Sequence, residues 1–372
     1  MLKIQAFIKQ HGLDAAVETF KLKMRNYGHK VHLKYNQLES SYAHPEVQES
    51  RGLILEADTW DVMSLSFYKF FNIQEGYAHP IDWESAIVYE KMDGSLIQLY
   101  YDWHKDEWCT GTTGTAEGEG EVNNKQGLTF SGLFWQIAEA IGLKKELLWN
   151  DFTYVFELTS PYNIVVKPHG VGAITLLTIR DNDTLKEFSH DFIKHCAEVL
   201  NVPMAKTFDF KGKSFEEISK TLETMPWSEE GYVICDKNFN RVKIKNPAYV
   251  AVHHLKDKSA EHNVIPIIKT NELDEFIAVF PDRKEEILKL KASYDKLVLT
   301  LKEIWEELKP LAPVSEEDRI QKKEFALKVL TTTKERGITN FSGLFFALAS
   351  GKTPSIETYL FEFDDKTLYK IL

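Results

Sequence analysis

Tyr89-Glu90-Lys91-Met92-Asp93-Gly94-Ser95-Leu96 sets a primary amine between two apolar, β-prone stretches. Ala86 to Tyr89 read as a strand ending at the lysine, Asp93-Gly94 as a tight turn, and Leu96 to Tyr101 as the returning strand. This arrangement holds the Lys91 amine at the mouth of a pocket, where it is expected to act as a covalent nucleophile. A solvated lysine with a pKa of ~10.4 is protonated and unreactive, so the chemistry requires nearby cations or desolvation to free the amine. Taken alone, the same residues also describe a plain hairpin turn carrying a surface lysine.

Later segments are expected to supply the partners. Phe152 to Phe156 is an apolar run closed by Glu157, and Glu229-Glu230-Gly231-Tyr232-Val233-Ile234 opens another. Arg241-Val242-Lys243-Ile244-Lys245 alternates base with aliphatic. Because side chains alternate faces along a strand, Arg241, Lys243 and Lys245 share one face while Val242 and Ile244 turn to the core. In isolation this is a half-buried strand with a solvated basic face. In order with Lys91 and the two glutamates, it reads as one wall of a shared cleft.

That order resembles the covalent nucleotidyltransferase superfamily of polynucleotide ligases and capping enzymes, and most closely the phage RNA ligase 1 family. Ser50-Arg51-Gly52-Leu53-Ile54-Leu55 resembles the family's Arg-Gly element, and Phe67-Tyr68-Lys69-Phe70-Phe71-Asn72 its Lys-Phe-Phe-Asn segment. Lys91-Met92-Asp93-Gly94, Phe156-Glu157, Glu230-Gly231-Tyr232-Val233 and Lys243-Ile244-Lys245 then match the remaining motifs in sequence.

The resemblance implies an ATP-dependent RNA ligase that joins 5′-phosphate and 3′-hydroxyl RNA ends through a lysyl-AMP and an RNA-adenylate. ATP and Mg²⁺, with Mn²⁺ as a substitute, are the implied cofactors, and nicked tRNA is among the implied partners. It also implies nucleotide contacts from Tyr35, Arg51, Lys69, Phe71, Glu90, Gly94, Glu157, Glu230, Lys243, Lys245 and Tyr249 around the catalytic Lys91. Moving AMP from ATP is a task of positioning and charge compensation. Lys243 and Lys245 suit the α-phosphate, and Arg51 and Lys69 the other phosphates or the RNA 5′-phosphate. Glu230 is the first choice to organise Mg²⁺, with Glu157 sharing that task or binding the ribose. Phe70 or Phe71 suits stacking on a base, with core packing as the alternative.

One departure stands out. Where RNA ligases of this kind resemble one another in a basic residue before a Gly-Ser pair, this chain reads Cys109-Thr110-Gly111-Thr112-Thr113-Gly114-Thr115. The turn offers hydroxyls and amides to a phosphate, or is simply a hairpin tip. The acidic residues Glu117, Glu119 and Glu121 that follow speak against a phosphate cradle.

Composition bounds the remaining classes. A chain of 372 residues, 43% hydrophobic, has room for two domains. Its formal net charge of −11 excludes a general nucleic-acid coating protein but allows a local basic cleft. Cys109, Cys196 and Cys235 are too widely spaced for a disulfide framework or a Cys-x-x-Cys zinc site. The expectation is a monomer without membrane span in a reducing cytoplasm, that of an infected host cell if phage-encoded.

Up to about residue 255, short strands alternate with single helices such as Leu133–Leu148 and Asp191–Leu200, an α+β pattern with antiparallel sheets. The resemblance makes residues 1–255 an ATP-grasp-like nucleotidyltransferase domain and residues 256–372 an all-helical C-terminal domain. In the latter, Ile287, Leu290, Tyr294, Leu297, Leu301, Ile304 and Leu308 form one apolar stripe ending before Pro310. Ser315 with Asp318 reads as a helix cap, Gly337 as a stop, and Phe341–Leu348 as a short helix before Gly351. The boundary is expected at Asp257–His262, and His253-His254 as strand-end packing rather than a metal site. DNA ligases and capping enzymes carry a β-barrel OB-fold after Lys-x-Lys, and no such alternation follows here. The helical tail is read equally as an RNA-specificity domain or a stabilising cap. A DNA ligase, a guanylyltransferase, or a non-catalytic RNA-binding protein on the same scaffold are the alternatives.

Overall fold

A computed structural model describes the chain apart from residues 124, 168, 251–263, 271, 272, 275, 276, 278–282 and 314–318. Two compact units result, Met1–His253 and His254–Leu372. The Asp257–His262 segment, the His253-His254 pair and the Ser315/Asp318 cap lie outside the described residues.

The first unit is α+β. Helices α1 (Lys3–His11) and α2 (Leu13–Phe20) precede β1 (Leu22–Asn26) and β2 (Lys30–Tyr35). Helix α3 (Pro45–Glu49) leads into β3 (Arg51–Glu56), β4 (Val62–Ser64) and β5 (Phe71–Asn72). Next come β6 (Ile87–Glu90), β7 (Ser95–Asp102), β8 (Glu107–Thr112), α4 (Phe130–Ile141), β9 (Phe152–Thr159) and β10 (Ala173–Asp181). They are followed by α5 (His190–Leu200), β11 (Thr207–Phe208), α6 (Phe215–Leu222), β12 (Gly231–Cys235) and β13 (Arg241–Lys245).

The strands form three sheets, ordered β1-β2-β3-β4, β10-β9-β7-β8 and β11-β6-β12-β13-β5. The pairings are antiparallel except that of β13 with β5, which is parallel.

Residue alternation decides what each sheet shows to the site. Along β9, Phe152, Tyr154, Phe156 and Leu158 enter a core with Phe134 and Ile137 of α4 and Ile193 of α5. Glu157 therefore projects from the opposite face. In the five-stranded sheet, Val88, Tyr232, Ile234, Val242 and Ile244 pack on Ile218 and Leu222 of α6. The residues between them, including Tyr89, Val233, Arg241, Lys243 and Lys245, make up the other face.

Helix α4 departs from its expected span of Leu133–Leu148. It starts at Phe130 because the Thr129 hydroxyl accepts from the Gly132 amide, and it stops at Ile141 because Gly142 turns left-handed with φ of 71°. A separate 3₁₀ turn follows at Lys145–Leu147.

Among its described residues the second unit is helical. Its longest helix, Lys284–Leu308, buries Ile287, Leu297, Leu301, Ile304 and Leu308, with Leu290 and Tyr294 partly buried beside them. Pro310 falls in the 3₁₀ turn Lys309–Leu311 that ends it. Gly337, with φ of 68°, follows the helix Arg319–Glu335, and Ser342–Ala349 is a short apolar helix. No helix among the described residues is long and apolar enough to cross a membrane.

Candidate active site

Strand pairing places Lys91. Tyr232 faces Glu90 and Val233 faces Tyr89 across β12 and β6, and the Lys91 amide continues that ladder by donating to the Gly231 carbonyl at 2.9 Å. On the other edge of β12, Gly231 faces Lys245 and Val233 faces Lys243. Lys91, Lys243 and Lys245 therefore share one face of the sheet in adjacent rows. Gly231 is required at the crossing: its φ is 132°, and a Cβ there would meet the Ile244 carbonyl oxygen at 2.1 Å.

The Lys91 Nζ lies 2.5 Å from Glu230 Oε1, with side chains only 20% and 11% exposed. Glu157 arrives from β9, and burial pushes its carboxyl up to about 8, with Lys91 opposing, Glu230 adding and Arg51 opposing. Burial likewise pulls the Lys243 ammonium down to about 7, with Lys245, Lys69 and Lys91 adding like-charge repulsion. The basic strand and the two glutamates thus form one coupled set around the amine.

A cavity of about 550 Å³ opens beside it, lined by Arg51, Glu90, Lys91, Gly94 and Glu157. Phe67, Phe70, Tyr89 and Phe130 supply apolar wall, and Arg25 reaches in from β1. Gly94 is held against β9, where a Cβ would stand 2.5 Å from the Leu158 carbonyl oxygen and 3.0 Å from Glu157 Cγ. The Arg51 guanidinium lies 5.1 Å from the Phe70 ring, and its buried Nη1 has no hydrogen-bond partner among the described residues. A buried cationic nitrogen left in this condition suits an anionic ligand.

Other expected contacts lie off the cavity wall. Phe71 is 1% exposed and packs against Tyr42 and Tyr77, so it is Phe70, its neighbour in sequence, that lines the cavity. The Lys69 ammonium is caged by the rings of Tyr35, Tyr42 and Phe71 at 5.5, 5.2 and 5.4 Å. Tyr249 is buried, and its hydroxyl donates to Asp93 Oδ1 at 2.7 Å. The Asp93 carboxylate also accepts from the Val166 amide at 2.9 Å and from the Lys167 amide. Its role as a clamp on the turn after Lys91 is invisible in the sequence, which shows only a turn former.

The glycine-threonine turn does line the cavity. However, Thr112 Oγ1 already accepts from the Gly114 and Thr115 amides, each at 3.1 Å, so those donors close the turn upon itself. The acidic residues that follow are largely offset. Glu117 pairs with Lys30 and Lys105, and Glu119 with Arg25 at 3.4 Å. Arg25 is thus a cation near the turn that no local motif announces. Arg241, on the same face as Lys243, is bound through both guanidinium nitrogens to Glu187, at 2.8 and 2.5 Å.

Among the described residues, no three His, Cys, Asp or Glu side chains gather as a metal cluster. Glu157 and Glu230 nevertheless converge on Lys91. Two carboxylates beside a cavity with room for phosphate fit Mg²⁺, which keeps waters and phosphate oxygens in its remaining positions.

A family model described as RNA ligase matches residues 49–249, more than half of the chain. The chain belongs to the RNA ligase family. The matched span holds the Arg51 element, Lys91, both glutamates, the Lys243/Lys245 strand and Tyr249. Among relatives, a protein of Autographa californica nuclear polyhedrosis virus, named for a bifunctional polynucleotide kinase/RNA ligase, is 30% identical over 311 residues. That alignment takes in 77% of this chain but 43% of the viral protein, so the chain spans less than half of that relative's length. An RNA ligase of Rhodothermus phage RM378 is 26% identical over 345 residues, covering 75% of this chain and 77% of the phage protein. An archaeal ATP-dependent RNA ligase structure superposes with a TM-score of 0.47 at 12% identity, over 89% of this chain and 90% of that one. Membership of the RNA ligase family agrees with the resemblance read from the ordered motifs.

Proposed function

We propose that this protein is an ATP-dependent RNA ligase that seals a 5′-phosphate to a 3′-hydroxyl through Lys91. The observation that carries this reading is the Lys91–Glu230 contact of 2.5 Å, beside a cavity lined by Glu157 and by Arg51, one nitrogen of which has no partner among the described residues. In the first step the Lys91 ammonium, held beside Glu230, gives up its proton to solvent. The freed amine attacks the α-phosphorus of ATP, so a P–N bond forms as the bond to pyrophosphate breaks. Arg51 compensates phosphate charge inside the cavity, while Lys243 and Lys245 raise the positive potential next to the amine. The RNA 5′-phosphate then displaces Lys91 to give RNA-adenylate, and the 3′-hydroxyl displaces AMP.

Glu157 and Glu230 would hold Mg²⁺, or Mn²⁺ in its place. When bound, such an ion would neutralise charge on phosphate oxygens. In this reading residues 1–255 are the nucleotidyltransferase domain, residues 256–372 serve RNA selection, and nicked tRNA is the substrate class.

Radiolabelled ATP or GTP with Mg²⁺, followed by denaturing electrophoresis, tests the first step. A covalent adduct from ATP is expected, absent in both Lys91→Ala and Lys91→Arg, because a guanidinium stays protonated. An undiminished adduct in Lys91→Ala sinks the assignment, and labelling by GTP alone points to a guanylyltransferase.

A further inference from the structure

We propose that a second groove, adjoining the nucleotide cavity, docks one unstacked nucleotide of the RNA strand next to the joint. This rests on the ligase reading above. The groove measures about 370 Å³ and shares Phe67, Phe70 and Arg241 with the cavity around Lys91. A strand held there would lie next to the cavity that Lys91 lines.

Charge favours this ligand. Lys69, Arg180, Lys186 and Arg241 line the groove against one carboxylate, Glu187, so four positive charges less one negative leave a formal excess of three. On a chain of net charge −11, that is a local reversal of sign. Glu187 anchors Arg180 at 2.7 Å and Arg241 at 2.5 Å, which fixes both guanidinium planes. Lys186 is exposed at the edge, free to follow a backbone phosphate.

Aromatic placement specifies a base. Tyr68 is 40% exposed although the Arg180 guanidinium lies 5.1 Å from its ring centroid, leaving part of the ring open. Phe239 also lines the groove but belongs to none of the unit's hydrophobic clusters. Its φ of 62° is one that bulky residues rarely adopt. The Asp236 carboxylate holds that turn by accepting from the Asn238 and Asn240 amides at 2.9 and 3.0 Å. Glycine or asparagine would fill this backbone position with less strain, so the backbone conformation does not call for phenylalanine here. Leu185, with φ of 63°, lines the same groove. An exposed ring and a partly exposed one, beside fixed guanidinium planes and an exposed cation, are the means by which unpaired bases are held.

Both the donor and the acceptor strand carry this chemistry, and the test separates them. Phe239→Gly, Tyr68→Ala and Lys186→Ala are compared with the parent chain for adduct formation, thermal midpoint and binding of a fluorescent single-stranded RNA. Joining of a pre-adenylated donor to an acceptor is then measured with each strand varied in turn. Adduct formation should be unchanged in all three, and the Phe239→Gly midpoint unchanged or raised. Loss of either aromatic should weaken RNA binding roughly tenfold, the size of a lost base stack. Lys186→Ala should lower the salt dependence of binding. A raised KM for the acceptor alone assigns the groove to the 3′-hydroxyl strand, and for the donor alone to the 5′ strand. Unchanged RNA binding and joining in all three variants overturns the proposal. Absence of adduct in the parent chain would instead defeat the ligase reading, and the direct binding measurement would still judge the groove.

Discussion

The Tyr249 hydroxyl donates to Asp93 at 2.7 Å, tying the segment after β13 to the turn that carries Lys91. Two backbone amides, those of Val166 and Lys167, converge on the same carboxylate. The turn that carries Lys91 is thus tied to two distant parts of the chain through an acid two positions after that lysine.

This clamp can be taken apart one bond at a time. Tyr249→Phe removes the hydrogen bond to the Asp93 carboxylate, a loss of about 1.5–3 kcal/mol. Asp93→Ala removes the shared acceptor of three donors and should cost more. Thermal midpoint and the rate of adduct formation should fall together, with Asp93→Ala worse in both. A normal adduct rate in Asp93→Ala would show that the turn keeps Lys91 in place without it.

The three cations of β13 should separate into two kinds. Arg241 is committed to Glu187, so Arg241→Ala leaves a buried carboxylate with one partner fewer and should mainly reduce stability, by about 3 kcal/mol or more. Lys243 and Lys245 stand in the rows next to Lys91, and removing either should slow adduct formation by ~10²-fold or more. Calorimetry and single-turnover labelling distinguish the two outcomes. Equal, small effects on labelling at all three positions would return the strand to a merely solvated basic face.

Much of this arrangement is legible in the sequence because it follows strand alternation. Arg241 to Lys245 form a strand with the expected bounds, and the helix Lys284–Leu308 buries the expected stripe. Period alone, however, does not say which of two adjacent aromatics reaches a cavity. Phe70 lines it while Phe71 is core, a choice made by the short parallel pairing of β5 with β13. Long-range contacts are hidden for the same reason. Arg25 comes from the first hairpin and Glu187 from a turn after β10, and neither carries a local pattern that announces its partner.

Protonation of Glu157 should be visible in stability. Its carboxyl is raised from 4.5 to about 8, so between those values the folded chain holds a proton that the unfolded chain has lost. The stability it contributes is complete below pH 4.5 and is lost as pH rises through about 8. Lys243 runs the other way: lowered from 10.5 to about 7, it contributes stability above 10.5 that is lost as pH falls through 7. Glu157→Gln removes only the first dependence. The midpoint of the variant relative to the parent should therefore climb between pH 5 and 8 and level off beyond, as read by thermal unfolding in a pH series. A difference independent of pH would mean that Glu157 is ionised throughout.

Every residue given a chemical role lies in the unit Met1–His253, which has its own hydrophobic cores. A shortened chain of residues 1–255 should consequently still form lysyl-AMP with ATP. Sealing of structured RNA should suffer more. If the helical unit holds a bent or nicked RNA by shape and backbone contacts, its loss slows the joining steps without altering the nucleophile. The comparison pairs adduct formation with joining of a nicked stem-loop and of a plain single strand, for shortened and full chains. The stem-loop should show the larger deficit. Loss of adduct formation in a shortened chain that circular dichroism shows to be folded would require the helical unit to act in the first chemical step, contrary to this division of labour.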